Sequence, residues 1–325
     1  MRILLVVHRA WPYPGGSEIY VQNIAEELLK RNHDVTILAH EHQGWQNGVK
    51  MRSDYQQCLG NEAWDLIIVH GADCISQDIV HANAVYINSP VLYLIIKPSE
   101  SGIAMAGLES HRFLGWSTQE DYDYLKKHKK LNKARYIRHG IKEFQYPLYT
   151  KTEIPSFVCA GGFWPHKGMT ELAQVFDEIN QNGIKAELAL FGYSDHEQPK
   201  GNGVICFKNA DRQTILNTIA DSDAYILNSY EEGFGLVLLE AMYAKTPWLS
   251  RKTSGAVQLH KKVPESGMLY NGREELKQLL ENWIANRDNM RHMFVPKLAH
   301  RYVAENMLIK NTVDDIETVL KEIRV

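Results

Sequence analysis

Several features that place a chain in a specialised class of protein are scarce in this sequence. Its four cysteines, Cys58, Cys74, Cys159 and Cys206, are far apart and form no C-x-x-C pair. This spacing indicates small buried side chains in a reducing compartment rather than disulfides or zinc ligands. The apolar run at 3–7 is too short for a signal peptide, and no run approaches the ~20 residues of a membrane span. We therefore expect a cytoplasmic protein.

The chain also lacks an excess of basic charge. It has 36 Lys and Arg against 39 Asp and Glu, which gives a net charge of −3. A protein dedicated to nucleic acid normally carries a basic surface, so we expect no nucleic-acid partner. Of its 325 residues, 44% are hydrophobic and 23% are charged, and this ordinary composition excludes a disordered or fibrous chain.

The order of the predicted elements indicates the fold class. At ~100–200 residues per domain, the length suggests two domains. Short apolar runs typical of buried parallel strands alternate with helical periodicity, and the pattern restarts after residue 150. We predict an α/β protein of two doubly wound parallel-sheet domains, divided near residue 150, with ligands bound in a cleft at the carboxyl ends of the strands. The predicted strands are 3–7, 35–38, 66–69, 84–87, 113–116, 136–138, 156–160, 187–191, 204–207, 224–227 and 248–250.

The segment 229–242 contains the most informative motif. It carries two carboxylates, Glu232 and Glu240, eight positions apart, with a Gly-Phe-Gly turn between them that opens a helix. The first carboxylate is placed to accept hydrogen bonds from sugar hydroxyls, and the second, about one turn into the helix, suits a ribose diol. The free amides of residues 234–237 would face an anion. A solvated acidic loop followed by an ordinary helical glutamate explains the two carboxylates equally well.

The whole string resembles the E-x7-E signature of the retaining GT-B glycosyltransferases of family 4 (glycosyl transferases group 1). Three segments are similar to elements of that family. The first strand with its glycine loop matches 1–27, the inter-domain segment matches 138–142, and the strand before the signature matches 220–229. The resemblance implies two Rossmann-like domains facing across a cleft. Residues 1–150 would hold the acceptor and 151–303 the nucleotide-sugar donor, with a C-terminal helix, 304–325, crossing back to the N-terminal domain.

A second match is the segment 160–168, which resembles the family's phosphate loop. Lys167 stands where the family has a lysine that holds the donor diphosphate, and a cation there would offset charge on the leaving phosphate. Gly162 stands where the family has an arginine. A surface lysine before a helix is the alternative interpretation of Lys167. The donor-binding residues implied by the resemblance are Gly16, Gly162, Lys167, Glu232, Gly233, Phe234, Gly235, Leu236, Val237 and Glu240.

Two residues of the N-terminal domain are candidates for the acceptor side. His70 ends a strand that in the family ends in His, although a structural histidine explains it as well. Asn88 stands where the family delivers an active-site His, and an Asn can hydrogen-bond a hydroxyl but cannot titrate. The catalytic residues implied by the resemblance are Glu232, Lys167 and Asn88.

The predicted function is retaining transfer of a hexosyl unit from a nucleotide diphosphate sugar to a glycan, lipid or other hydroxyl acceptor, with no cofactor and no essential metal. Two D-x-D strings, 121–123 and 221–223, leave a metal site as an alternative. A nucleotide-sugar-binding protein with little or no activity is a second alternative. A third, an NAD-dependent oxidoreductase, lacks the G-x-G-x-x-G loop that it would need.

The segment 125–142 holds eight Lys and Arg residues and no acidic residue. Such a segment can bind an anionic membrane weakly, which would place the protein at the periphery of a membrane with a lipid-linked acceptor. A solvated helical face is the alternative.

Overall fold

The computed structural model describes residues 1–70, 84–88, 113–116, 123, 134–150, 152–193 and 196–323, with only the backbone described at 60, 84–88, 113–116, 134, 320 and 322–323. The chain forms two units. The first contains Met1–Lys142 together with Met307–Val325, and the second contains Glu143–Asn306. The sequence analysis placed the division at residue 150 and the return to the first unit at residue 304.

The first unit contains a seven-stranded parallel sheet in the order β3-β2-β1-β4-β5-β6-β7. The chain runs from β1 outward to β3 on one side and from β4 outward to β7 on the other, so the strand order reverses between β1 and β4. Its strands are β1 (Arg2–Val6), β2 (Asp34–Leu38), β3 (Lys50–Arg52), β4 (Leu66–His70), β5 (Ala84–Asn88), β6 (Phe113–Trp116) and β7 (Ala134–Tyr136).

The described helices of this unit are α1 (Gly16–Lys30), α2 (Tyr55–Gly60) and, from the end of the chain, Ile309–Ile323. Helix α1 buries one face, which includes Ile24 and Leu28, because its apolar residues recur at helical spacing. Arg31, just after α1, donates hydrogen bonds to Asp314 at 2.8 Å and Glu317 at 3.0 Å on the last helix. Apolar packing and these ion pairs hold the last helix on α1.

The second unit contains a six-stranded parallel sheet in the order β10-β9-β8-β11-β12-β13. Its strands are β8 (Ser156–Ala160), β9 (Glu187–Gly192), β10 (Val204–Lys208), β11 (Ala224–Leu227), β12 (Trp248–Arg251) and β13 (Gly267–Tyr270). Its described helices are α3 (Met169–Gln181), α4 (Arg212–Ala220), α5 (Leu236–Tyr243), α6 (Ser254–Lys262), α7 (Arg273–Ala285), α8 (Arg287–His292) and α9 (Pro296–Asn306). The last helix of the chain, Ile309–Ile323, is then α10. Edge-to-face aromatic contacts of Phe157 with Phe176 and Trp283 lie in the core of this unit.

The predicted C-terminal helix is present, but it begins at residue 309 rather than 304, because the chain leaves helical geometry between α9 and α10. The amide of Ile141 donates to the carbonyl of Met307 at 3.0 Å, and the amide of Ile309 donates to the carbonyl of Ile141 at 2.8 Å. Residues 307–308 therefore lie as a short extended segment beside Ile141. A Cβ on Gly140 would overlap the backbone of Leu308, so this close approach requires glycine.

Three further elements differ from the prediction. Strands β3 and β13 were not predicted, since a basic residue lies at each end of β3 and a glycine begins β13, and these residues are uncommon in strands. Strand β7 lies two residues before the predicted 136–138. A side chain at Gly267, the first residue of β13, would overlap the indole of Trp248 on the neighbouring strand. Among the described residues, no helix has both the length and the apolar character needed to cross a bilayer.

Asp223, in the second of the two D-x-D strings, lies at the centre of a buried ion-pair network. Its carboxylate accepts hydrogen bonds from Arg287 Nε at 2.8 Å, from Arg287 Nη2 at 2.6 Å and from the Tyr149 hydroxyl at 2.8 Å. The amide of Ser156 donates to it at 2.9 Å, and Asp223 is fully buried. Both carboxylate oxygens are thus used within the fold, so this Asp joins α8 to the start of β8. The string 121–123 lies, apart from residue 123, outside the described residues.

We expect Asp223→Ala to lower the free energy of unfolding by about 3–5 kcal/mol, because it leaves the Arg287 guanidinium buried without its counter-ion. Denaturant unfolding followed by circular dichroism measures this loss. The control is Glu197→Ala, which removes an ion pair with Lys200 whose side chains are 84% and 83% exposed. Glu197→Ala should lower the free energy of unfolding by less than about 1 kcal/mol. Equal effects of the two substitutions would contradict the structural role of Asp223.

His139, after β7, lies in a buried aromatic cluster of the first unit. The ring of Tyr20 is 4.6 Å from the His139 ring and 5.2 Å from the ring of His70. Burial, aided by the charge of His70, holds the pKa of His139 well below its usual 6.5, so the ring is neutral in the folded protein. In the unfolded chain the same ring binds a proton below about pH 6.5. The unfolded state then binds more protons, and stability falls as the pH drops through this range.

We therefore expect the free energy of unfolding to fall between pH 7 and pH 5 by about 2 kcal/mol more in the parent protein than in His139→Gln, since that variant has no ring to protonate. The measurement is the change in unfolding free energy between the two pH values for each protein. His292→Gln, at an exposed histidine, should change with pH as the parent does. A pH dependence that is the same in all three proteins would exclude His139 as its source.

Candidate functional site

The strand order of the second unit indicates where a ligand can bind. The chain runs from β8 outward to β10 on one side and from β11 outward to β13 on the other. In open parallel sheets, ligands bind where this reversal leaves a crevice at the carboxyl ends of the two central strands. The loop 161–168 follows β8 and the loop 228–235 follows β11. These are the two loops that hold most of the predicted donor-binding residues.

Lys167 and Glu232 contact each other at this edge of the sheet. Lys167 Nζ donates to Glu232 Oε2 at 2.7 Å, and the Ser229 hydroxyl donates to the same oxygen at 3.1 Å. The two charged side chains are 21% and 17% exposed, which leaves both within reach of a ligand. The structure thus brings together two predicted catalytic residues that are 65 positions apart, and adds Ser229, which the sequence analysis did not assign.

Lys167 ends a single 3₁₀ turn, Pro165–Lys167, and Gly168 follows it with φ = 65° before α3 begins. This left-handed conformation favours glycine. The side-chain amide of Asn228 donates to the Gly168 carbonyl at 2.7 Å, and the amide of Tyr230 donates to the His166 carbonyl at 2.8 Å. These bonds join the loop after β8 to the loop after β11 and set the position of Lys167.

The other end of the Asn228 side chain is also held. Its Oδ1 accepts hydrogen bonds from the Tyr270 hydroxyl at 2.9 Å and from Arg251 Nε at 2.9 Å. Arg251 also forms an ion pair with Glu171 and lies over the Tyr230 ring, 4.4 Å from its centre. Arg251, the last residue of β12, therefore already has a carboxylate partner and supports the two loops.

The Gly-Phe-Gly turn lies as predicted at the start of a helix. Gly235, with φ = 84°, is the residue before α5, whose first residues are Leu236 and Val237. Phe234 is 2% exposed, and a Cβ on Gly255 would overlap its carbonyl, so the start of α6 packs closely on this turn. The Leu238 amide donates to the Gly235 carbonyl at 2.9 Å, and the first amides of the helix, those of Leu236 and Val237, carry the positive end of its dipole.

Glu240 is buried rather than open. It is 6% exposed, and its Oε1 forms an ion pair with Arg212, the first residue of α4. Its other oxygen, Oε2, is buried without a hydrogen-bond partner among the described residues. Arg212 was not named by the sequence analysis. One signal was present, because Asp211 and Thr214 have the spacing of a helix N-cap and place a basic residue at the unfavourable end of a helix.

Gly162, at the position of the family's arginine, has no positive φ, so its backbone would accept a side chain. The obstacle is steric, because a Cβ there would overlap the indole of Trp164. Trp164 thus occupies the space that an arginine side chain would need.

Two groups beside Lys167 are neutral at pH 7. Burial, together with the charge of Lys167, lowers the pKa of His166 below 6.5. Burial raises the pKa of the Cys159 thiol, on β8, to about 12. Neither side chain therefore adds charge to the site.

The predicted residues of the first unit lie at the ends of elements. Gly16 begins α1, and an added Cβ there would meet no atom within 4 Å. His70 is the last residue of β4 and is 6% exposed against the Tyr20 ring, which favours the structural interpretation of this histidine. Asn88 is the last residue of β5, and its side chain lies outside the described residues.

The family model of glycosyl transferases group 1 matches residues 142–300, which covers most of the second unit. This part of the chain belongs to the glycosyl transferases group 1. Serotype-specific mannosyltransferase WbdA of Escherichia coli is 24% identical to this chain over 159 residues, 45% of this chain and 19% of that protein. The chain therefore spans about a fifth of the length of this curated relative.

Solved structures give the same fold. Sucrose-phosphate synthase from Thermosynechococcus elongatus has a TM-score of 0.79 at 16% identity, covering 99% of this chain and 98% of that one. WaaG, a glycosyltransferase involved in lipopolysaccharide biosynthesis, has a TM-score of 0.74 at 16% identity, with 99% of each chain covered. At this identity the likeness shows the fold alone, and that fold is GT-B.

In this group 1 unit, we expect Gly168→Ala to displace Lys167, since the added methyl group would overlap the backbone oxygen of Asn228. The loss of stability should be about 3 kcal/mol, against about 1 kcal/mol for Gly183→Ala. Gly183 is a matched control, because its φ of 84° carries the same conformational cost and nothing lies within 4 Å of an added Cβ. Thermal and denaturant unfolding compare the two. Equal losses would mean that the Asn228 contact does not constrain the loop.

Proposed function

We propose that this protein is a retaining glycosyltransferase of family 4 that moves a hexosyl unit from a nucleotide diphosphate sugar to a hydroxyl acceptor. The observation that carries the proposal is the contact of Lys167 Nζ with Glu232 Oε2 at 2.7 Å. It lies at the carboxyl edge of β8 and β11, in a unit of the glycosyl transferases group 1.

Opposite charges in contact at this edge suit a donor that is anionic at its phosphates and rich in hydroxyls at its sugar. The Lys167 ammonium would bind the diphosphate, and the Glu232 carboxylate would accept hydrogen bonds from the sugar. Before the donor binds, each group is the counter-ion of the other, so both are already positioned. The amides at the start of α5, from Gly235 to Val237, would add a favourable dipole on the phosphate side.

Lys167 would carry much of the charge that develops on the leaving phosphate. Gly162 supplies no cation, and the Arg251 guanidinium is engaged with Glu171. A fixed cation beside a leaving diphosphate lowers the barrier because it stabilises charge that is larger in the transition state than in the ground state.

In the proposed reaction, the bond between the anomeric carbon and the donor phosphate breaks, and the acceptor oxygen bonds to that carbon on the same face. The leaving phosphate takes the acceptor proton, so the configuration is retained and the protein supplies position rather than a nucleophile. We propose that no metal takes part, since the Asp223 carboxylate is bound to Arg287.

The acceptor is proposed to be a hydroxyl of a glycan or of a lipid-linked saccharide. The relative WbdA is named a mannosyltransferase, which supports mannose as one donor sugar to test. Weak binding to anionic membranes through the segment 125–142 stays a proposal. Of its basic residues, Arg138 is paired with Asp315 and Lys142 with Glu26, while 126–133 lie outside the described residues.

The test is a panel of UDP- and GDP-linked hexoses, mannose included, with transfer and donor hydrolysis measured and the product anomer assigned by NMR. With the donor that the parent uses, we expect Lys167→Ala to lower kcat/KM by roughly 10- to 150-fold, because a charge-assisted hydrogen bond is lost. Glu232→Ala should abolish transfer while the fold is retained, since its side chain is partly exposed.

Lys200→Ala is the control for removal of a lysine, since this side chain is 83% exposed and pairs with the exposed Glu197. It should keep the parent's activity. If Lys167→Ala and Glu232→Ala do so as well, the two residues are not catalytic. Stabilisation of the parent by a nucleotide sugar, with no turnover, would favour a binding protein over an enzyme.

A further inference from the structure

A cavity of about 310 Å³ lies on the second unit beside the turn that carries Lys167. Among the described residues, Pro165 and Gly168 on either side of Lys167 line it, whereas Lys167 and Glu232 do not. Small-molecule sites have volumes of about 300–1,000 Å³, so this cavity suits one monosaccharide unit. Its other lining residues are Phe163, Thr170, Glu171, His196, Glu197 and Tyr230. The cavity is therefore next to the contact of Lys167 with Glu232 but separate from it.

Tyr230 supplies an aromatic surface to the cavity. The Arg251 guanidinium covers one face of its ring at 4.4 Å, and the residue is still 53% exposed. The Tyr230 hydroxyl donates to Glu171 Oε2 at 2.9 Å, and its amide donates to the His166 carbonyl at 2.8 Å. A ring held at these points loses little conformational freedom when a ligand binds. The C–H groups on one face of a pyranose are apolar and pack well against such a ring, because its π face is negative.

The aromatic residues of the loop after β8 are also fixed. Phe163 is 5% exposed and lies over Gly192, the last residue of β9, so closely that a Cβ on Gly192 would overlap its ring. The next residue, Trp164, is 37% exposed and contacts His196 edge to face, with ring centres 4.8 Å apart. These contacts join the loop after β8 to the end of β9 and the loop that follows it. The apolar lining of the cavity is therefore already in place before a ligand binds.

The charges around the cavity favour a neutral ligand. Glu171 forms an ion pair with Arg251, and Glu197 forms one with Lys200 at 3.3 Å. Because each carboxylate is already paired, the cavity does not favour a cation, and the same carboxylates disfavour a phosphate. Glu171 Oε2, which accepts from Tyr230, has a second lone pair that can accept from a sugar hydroxyl. Hydrogen-bond acceptors beside fixed aromatic rings, without excess charge, suit a neutral ligand that is rich in hydroxyls.

We propose that this cavity is a saccharide-binding subsite for the acceptor, which holds one hexose unit other than the one that receives the transferred sugar. The Tyr230 ring packs on the apolar face of that unit, while Glu171 Oε2 and the Thr170 hydroxyl bind its hydroxyls. The proposal rests on the proposed function in one respect, because it takes the saccharide to be part of the acceptor. Since the subsite does not contact the reacting bond, it contributes to acceptor binding rather than to the chemical step.

The test is saturation-transfer NMR on the full chain, with the methyl glycosides of mannose, glucose, galactose and N-acetylglucosamine as probes. At least one should bind the parent, and titration gives its dissociation constant. Tyr230→Leu keeps an apolar cover on Arg251 but removes the ring, so it should weaken this binding roughly 2- to 12-fold. Phe207→Leu is the matched control, because Phe207 on β10 is 40% exposed and lies outside the cavity lining. It should bind the glycoside as the parent does.

A second variant tests the cavity from another element. Thr170→Phe, at an exposed position in the first turn of α3, fills the cavity and should abolish glycoside binding. With the donor saturating, it should raise the KM for the acceptor at least about threefold while kcat stays within about twofold. Donor hydrolysis should be unchanged. Lys167→Ala should bind the glycoside as the parent does although its transfer is slower, which separates the cavity from the donor contact.

Glycoside binding by Thr170→Phe that equals the parent's would overturn the inference, as would a parent that binds none of the four probes. An equal effect of Phe207→Leu and Tyr230→Leu would also overturn it, and so would an unchanged acceptor KM in Thr170→Phe. Each of these results leaves the proposed function standing. A parent chain that binds no nucleotide sugar and transfers no sugar would overturn the proposed function itself, even where a glycoside still binds in the cavity.

Discussion

The hydrogen bonds of one buried amide, that of Asn228, determine the geometry of the candidate site. Its nitrogen donates to the carbonyl of Gly168, and its oxygen accepts from Tyr270 and Arg251. A buried amide with both ends satisfied can adopt one orientation only, so the loop after β8 cannot shift relative to the loop after β11. The contact between Lys167 and Glu232 follows from that constraint.

A second ion pair of this unit differs in how its two partners are exposed. Lys167 and Glu232 are 21% and 17% exposed, whereas Glu240 is 8% exposed and its partner Arg212 is 36% exposed. Partly exposed pairs contribute little to stability and can exchange partners with a ligand, while a buried carboxylate is costly to separate from its cation. The contact of Lys167 with Glu232 is therefore suited to a donor, and the contact of Arg212 with Glu240 to joining α4 to α5.

The two units are stabilised by different kinds of contact. In the second unit, the buried Asp223 and Arg287 join the start of the sheet to its C-terminal helices. In the first, the extended segment 307–308 pairs with Ile141 and directs α10 onto α1. Within the second unit, Asp223 and Ser156 lie at the amino ends of β11 and β8, opposite the loops that follow these strands, so the loops can vary while the sheet stays in place.

The sequence by itself determined the two parallel-sheet units, most of the strands and the identity of the signature residues. The apolar run at 156–160 predicts a strand and the glycines around Phe234 predict a turn, because each of these signals comes from residues that are neighbours in the sequence.

The tertiary structure decided the contacts between residues far apart in the chain. The break between α9 and α10 arises because Ile141, more than 160 positions earlier, offers backbone hydrogen bonds that compete with the helix. In the same way, Glu240 has the pattern of an open ligand residue, yet it is buried because Arg212 on another helix neutralises it. The spacing of apolar residues predicts which face of a helix or strand is buried, but it does not predict which charged residue of another element contacts that helix or strand in the fold.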